Sequence, residues 1–186
     1  FNRPDQIHLC FLDFDELAEQ SSQLAISAQI LGECLNGGSS KFESHEGFDF
    51  INLTIPETLS GQEKPSRICI YFRSNLLLFV SDRLSYFSEL VATSQASGIH
   101  ITGLSKFFHL FFDHLTYDDR NVLVAIEEEI SDLEEQFIVA IKNDLVDYLI
   151  TFRKRLLGLK QYYEQLFEIS EAIEDNENNL IDQADL

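Results

Sequence analysis

His109 and Asp113 stand four residues apart, a spacing that puts an imidazole and a carboxylate on one helix face, where they can share a metal ion or a hydrogen bond. His114 follows Asp113, and all three sit among Phe107, Phe108, Phe111 and Phe112. Two ligands do not complete a metal site, and histidines between phenylalanines usually satisfy a polar contact near a core. Asp113 is harder to dismiss, because a carboxylate beside Phe111 and Phe112 must find a cation, a helix end or solvent.

Other charged groups have a bland reading beside the chemical one. The run Glu127-Glu128-Glu129 with Asp132, Glu134 and Glu135 is able to attract hydrated magnesium, but charge runs on helices are commonly solvated faces. Arg153-Lys154-Arg155 and Lys160 suit anionic headgroups, yet in so acidic a segment they pair more readily with neighbouring Glu and Asp. His45-Glu46 lacks the second histidine of a zincin helix and reads as a turn before a strand. Asn52-Leu53-Thr54 matches the glycosylation sequon in mid-strand, where it is read as chance. Gly-rich phosphate loops, GxSxG, HExxH and EF-hand loops are all missing. The chain reads as a regulatory or assembly module rather than an enzyme.

These residues need elements to hold them. Ile7 to Phe14 suits a strand, with an acidic helix start at Asp15-Glu16, and Ser21 to Leu35 reads as one helix stopped by Asn36-Gly37-Gly38. Phe48 to Ile55 alternates as a strand ending at Pro56. Arg67 to Phe72 and Asn75 to Val80 form a hairpin around Arg73-Ser74-Asn75, the second strand apolar enough to be buried on both faces. Asp82 to Ala92 returns to helical spacing.

From Gly103 one long helix is expected, with Leu104, Phe107, Phe108, Phe111, Phe112 and Leu115 at three and four residue steps. Its continuation carries a seam at Val122, Ile126, Ile130, Leu133, Phe137 and Ile141. A partner helix carries Leu145, Leu149, Phe152, Leu156, Leu159, Tyr163, Leu166, Ser170 and Ile173 in heptad register. Leu180, Ile181 and Leu186 resemble the start of a further helix. The expected fold class is α/β (α+β): a mixed sheet flanked by helices over residues 1–100, a long antiparallel helical hairpin over 101–176, and the start of a stalk helix over 177–186.

Bulk properties agree with a globular chain. It has 186 residues, 45% of them hydrophobic and 12% aromatic, enough to bury a full core. Its formal net charge of -19 repels phosphate backbones and anionic lipid, which argues against nucleic acid and for cationic partners. Cys10, Cys34 and Cys69 contain no CxxC pair and read as reduced, buried thiols. No secretory signal opens the sequence, and no apolar run approaches the roughly 18 to 20 residues needed to cross a bilayer. The chain is thus expected to be soluble.

The order of these elements, together with Lys41-Phe-Glu-Ser-His-Glu-Gly-Phe-Asp-Phe-Ile-Asn-Leu, Asn75-Leu-Leu-Leu-Phe-Val, Phe111-Phe-Asp-His-Leu through Leu133-Glu-Glu, and Phe152-Arg-Lys-Arg-Leu-Leu-Gly-Leu-Lys, resembles the cytosolic part of the CorA-type magnesium and cobalt transporters, a family that includes the ZntB zinc transporters. The resemblance covers about Leu24 to Leu186. It implies a funnel-shaped homopentamer at the cytoplasmic face of the cell membrane, attached through transmembrane helices that this sequence does not include. It also implies a regulatory magnesium or other divalent ion bridging subunits. Asp113 matches one of the family's bridging aspartates; the earlier one falls at Gly32-Glu33, where Glu33 is the available carboxylate. The rival reading is a soluble interaction module that binds a partner helix along the Leu145 to Ile173 seam.

Overall fold

The computed structural model describes residues 8–24, 26–60, 64–83, 85–96, 98, 101, 103–139 and 144–181, with the backbone alone at 136–139, 144 and 145. Five strands form one mixed sheet: β1 (His8–Leu12), β2 (Lys41–His45), β3 (Phe48–Ile55), β4 (Ser66–Arg73) and β5 (Leu76–Ser81), in the order β1-β5-β4-β3-β2. β1 lies parallel to β5, and the other pairs are antiparallel. The hairpin turn falls at Ser74-Asn75, closed by the Arg73 and Leu76 pair. Every residue of β5 is buried, as its continuous apolar run predicts. β2 has no counterpart among the strands expected above; it is a polar edge strand whose residues are all half-buried, so hydrophobic periodicity gives it no signal.

Alternation along the strands builds two cores. Phe50, Cys69, Tyr71, Leu76, Leu78 and Val80 face α1 (Phe14–Leu24) and α2 (Ala28–Asn36). Ile51, Leu53, Ile68, Ile70, Phe72, Leu77 and Phe79 face α4 (Ser85–Ala96), α5 (Leu104–Thr116) and the C-terminal half of α7 (Asp144–Asp175). A short α3 (Glu57–Ser60) follows Pro56. Asp13 and Glu16 exchange side-chain and backbone hydrogen bonds at the start of α1, which is a capping box.

Two expected helices are each divided. The Ser21 to Leu35 helix breaks because Ser27 takes an extended backbone and its Oγ accepts from Ile30 N at 3.2 Å, starting α2 afresh. The helix expected from Gly103 becomes α5 and α6 (Asp119–Val139), separated at Tyr117-Asp118, where Asp118 O accepts from Asn121 N and Val122 N. Apolar spacing misses this break because the chain stays near helical geometry at Tyr117.

α6 and α7 form an antiparallel hairpin. Tyr163 Oη donates to Asp119 Oδ2 at 2.7 Å near its base, and Arg155 and Tyr148 both bond Glu129 further out. Phe137, Ile141 and Leu145 of the expected seam lie outside the described side chains, as does the turn. The heptad seam of α7 holds only in part: Phe152 and Leu159 pack on Ile126 of α6, but Leu156 is exposed, and further along Tyr162, Leu166, Ile169 and Ile173 are the buried positions. The helix changes partner midway, from α6 to α5 and the sheet, so its buried face drifts off the 3.5-residue repeat.

After α7 the chain turns at Asn176 and Asn179, both at positive φ. Asn176 bonds Ile181 through both its side-chain oxygen and nitrogen. The described part of the expected stalk is thus a linking turn, and residues 182–186 lie outside the described residues. No helix among the described residues is long and apolar enough to cross a membrane.

Candidate functional site

α5 is amphipathic in the sense its spacing predicts. Phe107, Phe108, Phe111 and Leu115 enter the core, which turns His109, Asp113 and Thr116 outward. Opposite them α7 offers Tyr163, Leu166, Phe167 and Ser170, and the two helices enclose an open groove of about 490 Å³. His109 and Asp113 therefore share one wall, as their spacing requires. Asp113 is exposed, and no side chain among the described residues pairs with it.

His114 points elsewhere. It packs edge-on to Tyr86 and lies 3.7 Å from Glu89, and burial lowers its pKa. It is a structural histidine at a core margin. Glu89 also binds Arg83, whose guanidinium reaches Ser60 O and Ser85 Oγ, so α4 is tied to the end of α3 by one cation.

Glu33 lies on α2, across the sheet from α5. Its carboxylate meets Lys41 Nζ at 2.5 Å, and Lys41 also meets Glu43 at 2.7 Å. Glu33 and Glu43 together raise the Lys41 pKa and hold it charged. The structure does not bring Glu33 and Asp113 together within one chain. Among the described residues no three His, Cys, Asp or Glu side chains are grouped as metal ligands. The described residues of one chain thus do not present a complete inner-sphere site.

The acidic face of α6 is solvated at Glu127, Glu128, Asp132, Glu134 and Glu135. Glu129 is the exception: Arg155 first, and then Tyr148, lower its pKa. Arg155 also covers the Phe152 ring at 4.8 Å, and Lys160 pairs with Glu164 at 3.4 Å, so these two basic residues are matched within the hairpin. Asn52 of the sequon is fully buried and donates to Ser39 O, which leaves its amide inaccessible to glycosylation.

One cluster was invisible to sequence reasoning. The Asn178 amide reaches Asp49 Oδ1, His45 O, Ser44 Oγ and Phe48 O at 2.6 to 3.1 Å, fixing the exit of α7 to the β2 and β3 hairpin. Asp49, only 2% exposed, has Ser44 Oγ as its other donor at 2.7 Å. The one available signal was an acidic residue at a position facing the interior in an alternating strand.

Comparison with known proteins fits this architecture. The soluble domain of CorA from Methanocaldococcus jannaschii superposes with a TM-score of 0.67 at 18% identity, covering 95% of this chain and 73% of that one. The ZntB cytoplasmic domain from Vibrio parahaemolyticus gives 0.72 at 12% identity, covering 94% and 72%. The complete CorA magnesium transporter from M. jannaschii gives 0.62 at 20% identity, and there the match spans 52% of the longer chain. At these identities the likeness speaks for the fold. No curated protein sequence is similar enough to count as a relative. The family described as CorA-like Mg2+ transporter protein matches residues 7–186, nearly the whole sequence, and the chain belongs to that family.

Proposed function

We propose that this chain is the cytosolic, metal-sensing part of a divalent cation transporter and that it works as a homo-oligomer, pentameric in the full-length protein. Magnesium, cobalt or zinc is the class of ion carried. The family match supports the transporter reading, and the observation that carries the sensing role is Asp113, exposed and unpaired among the described residues on the wall of the α5 and α7 groove. Glu33 lies on the other side of the sheet, so a cation between these carboxylates would join Asp113 of one copy to Glu33 of another. That ion would compete with Lys41 for Glu33, which favours weak, readily reversed binding.

The physical role follows from charge. A net charge of -19 makes copies repel, and a bridging cation offsets that repulsion and favours the assembled, closed state; metal depletion releases it. Asp113→Asn with Glu33→Gln in the full-length transporter should weaken inhibition by cytosolic metal several-fold at least. Unchanged inhibition in that double variant would remove the assignment.

The helix-binding alternative has less to use. Phe152, Leu159, Leu166 and Ile173 of the expected seam are buried against the chain's own elements. Val146, Ile150 and Leu157 remain exposed on the outer face of α7, and a metal-indifferent dimer would favour this second reading.

A further inference from the structure

The groove between α5 and α7 holds one carboxylate amid aromatic rings. Its walls run from His109 to Thr116 on α5 and from Tyr163 to Ser170 on α7, each in steps of i, i+3, i+4 and i+7, which makes a slot about 10 Å long. Tyr163 Oη donates to Asp119, just past Thr116 in the chain, so the Tyr163 end of one wall lies beside the Thr116 end of the other. Asp113 therefore comes at mid-slot, facing the turn that carries Leu166 and Phe167, with Phe112 beside it and His109 one turn away towards Ser170. Phe167 is 61% exposed, so its ring is free to meet a ligand.

The hydroxyls around Asp113 are engaged elsewhere. Thr116 Oγ1 donates to Phe112 O at 2.9 Å, Ser170 Oγ to Phe167 O at 2.8 Å, and Tyr163 Oη to Asp119 at 2.7 Å. The slot thus offers a single carboxylate, unpaired among the described residues, between aromatic and aliphatic surfaces. A bare divalent ion needs about six oxygen ligands, which this slot does not supply within one chain. An organic cation needs only one carboxylate for its charge, with ring faces for cation–π attraction and apolar surface for its carbon chain.

We propose that this groove binds a small, free primary alkylammonium ion, its ammonium group donating to Asp113 and its carbon chain lying against Phe167, Leu166 and Phe112. The site shares Asp113 with the metal-sensing reading but does not rest on it, because ammonium binding is read with no divalent ion present. A net charge of -19 draws every cation towards the surface. The rings are what favour an organic cation over sodium or potassium, since only a cation with a carbon chain gains by leaving water for an aromatic wall.

The test is a titration of the isotope-labelled chain with butylammonium chloride, exchanged against sodium chloride at constant ionic strength and followed by backbone amide shifts in NMR. Saturable shifts confined to residues 109–116 and 163–170 are expected, half-complete in the millimolar range that so small a ligand allows. Butan-1-ol, of similar shape without the charge, should bind roughly tenfold more weakly. Asp113→Asn and Phe167→Ala, both at exposed positions, should each weaken butylammonium binding roughly tenfold. Shifts that stay linear and spread over the acidic surface, equal binding of butan-1-ol, or saturable binding that Phe167→Ala leaves unchanged would overturn the proposal. The mass by light scattering should stay constant through the titration; a fall would show the ion displacing a lysine of a second copy from the slot, and would overturn the assignment to a free ligand.

Discussion

The Asn178 side chain donates to Asp49 Oδ1 at 2.6 Å, joining residues 129 apart in sequence, and so fixes the end of the longest helix to the polar edge of the sheet. Asp49 is buried and its Oδ1 accepts from two side-chain donors, Asn178 and Ser44. Removing one leaves a carboxylate short of hydrogen bonds where water cannot readily replace them.

Asn178→Ala should therefore destabilise the chain by about 2 kcal/mol, read as a lower urea midpoint at unchanged slope. Asp49→Asn, which removes the charge left short of donors, should recover part of the loss in the double variant. Independent, additive losses would show that the two residues do not act together.

Much of this architecture is legible in the sequence because burial leaves a period. The Leu76 to Val80 run, the Phe48 to Ile55 alternation and the α5 phenylalanines all announce which side faces a core. β2 and Asn178 do not, since half-buried polar residues stabilise by partners distant in sequence. The α7 seam is misread for a different reason: a heptad assumes one partner helix, while α7 has α6 along one half and the sheet layer along the other. For the candidate site, helical spacing places His109 beside Asp113, but no local pattern can tell that Glu33 is held by Lys41 across a turn.

Glu129 gives the hairpin a pH dependence with a definite sign. Arg155 and Tyr148 lower its pKa in the folded chain, so its contribution is present above the ordinary carboxylate range and is lost as pH falls through the lowered folded value. The pair with Arg155 is about one third exposed, which limits it to about 0.5 kcal/mol. Glu129→Gln should flatten the acid limb of hydrogen-exchange protection in α6, with little change at neutral pH elsewhere.

Asp119 behaves oppositely. Burial raises its pKa, while the Tyr163 hydroxyl acts to lower it. Its share of stability is greatest when it is protonated and is lost as pH rises through the raised folded value. Tyr163→Phe should push the Asp119 titration still higher, followed by carboxyl carbon chemical shifts, and cost about 1 kcal/mol at neutral pH. A downward shift would contradict the roles given to burial and hydrogen bonding.

The most direct test of metal sensing is the mass of the chain by light scattering at fixed protein concentration, with and without millimolar magnesium. Magnesium is expected to raise the mass, and Asp113→Asn or Glu33→Gln to abolish the rise. The same mass in both conditions, or a rise that both variants retain, would contradict a cation bridge through these carboxylates.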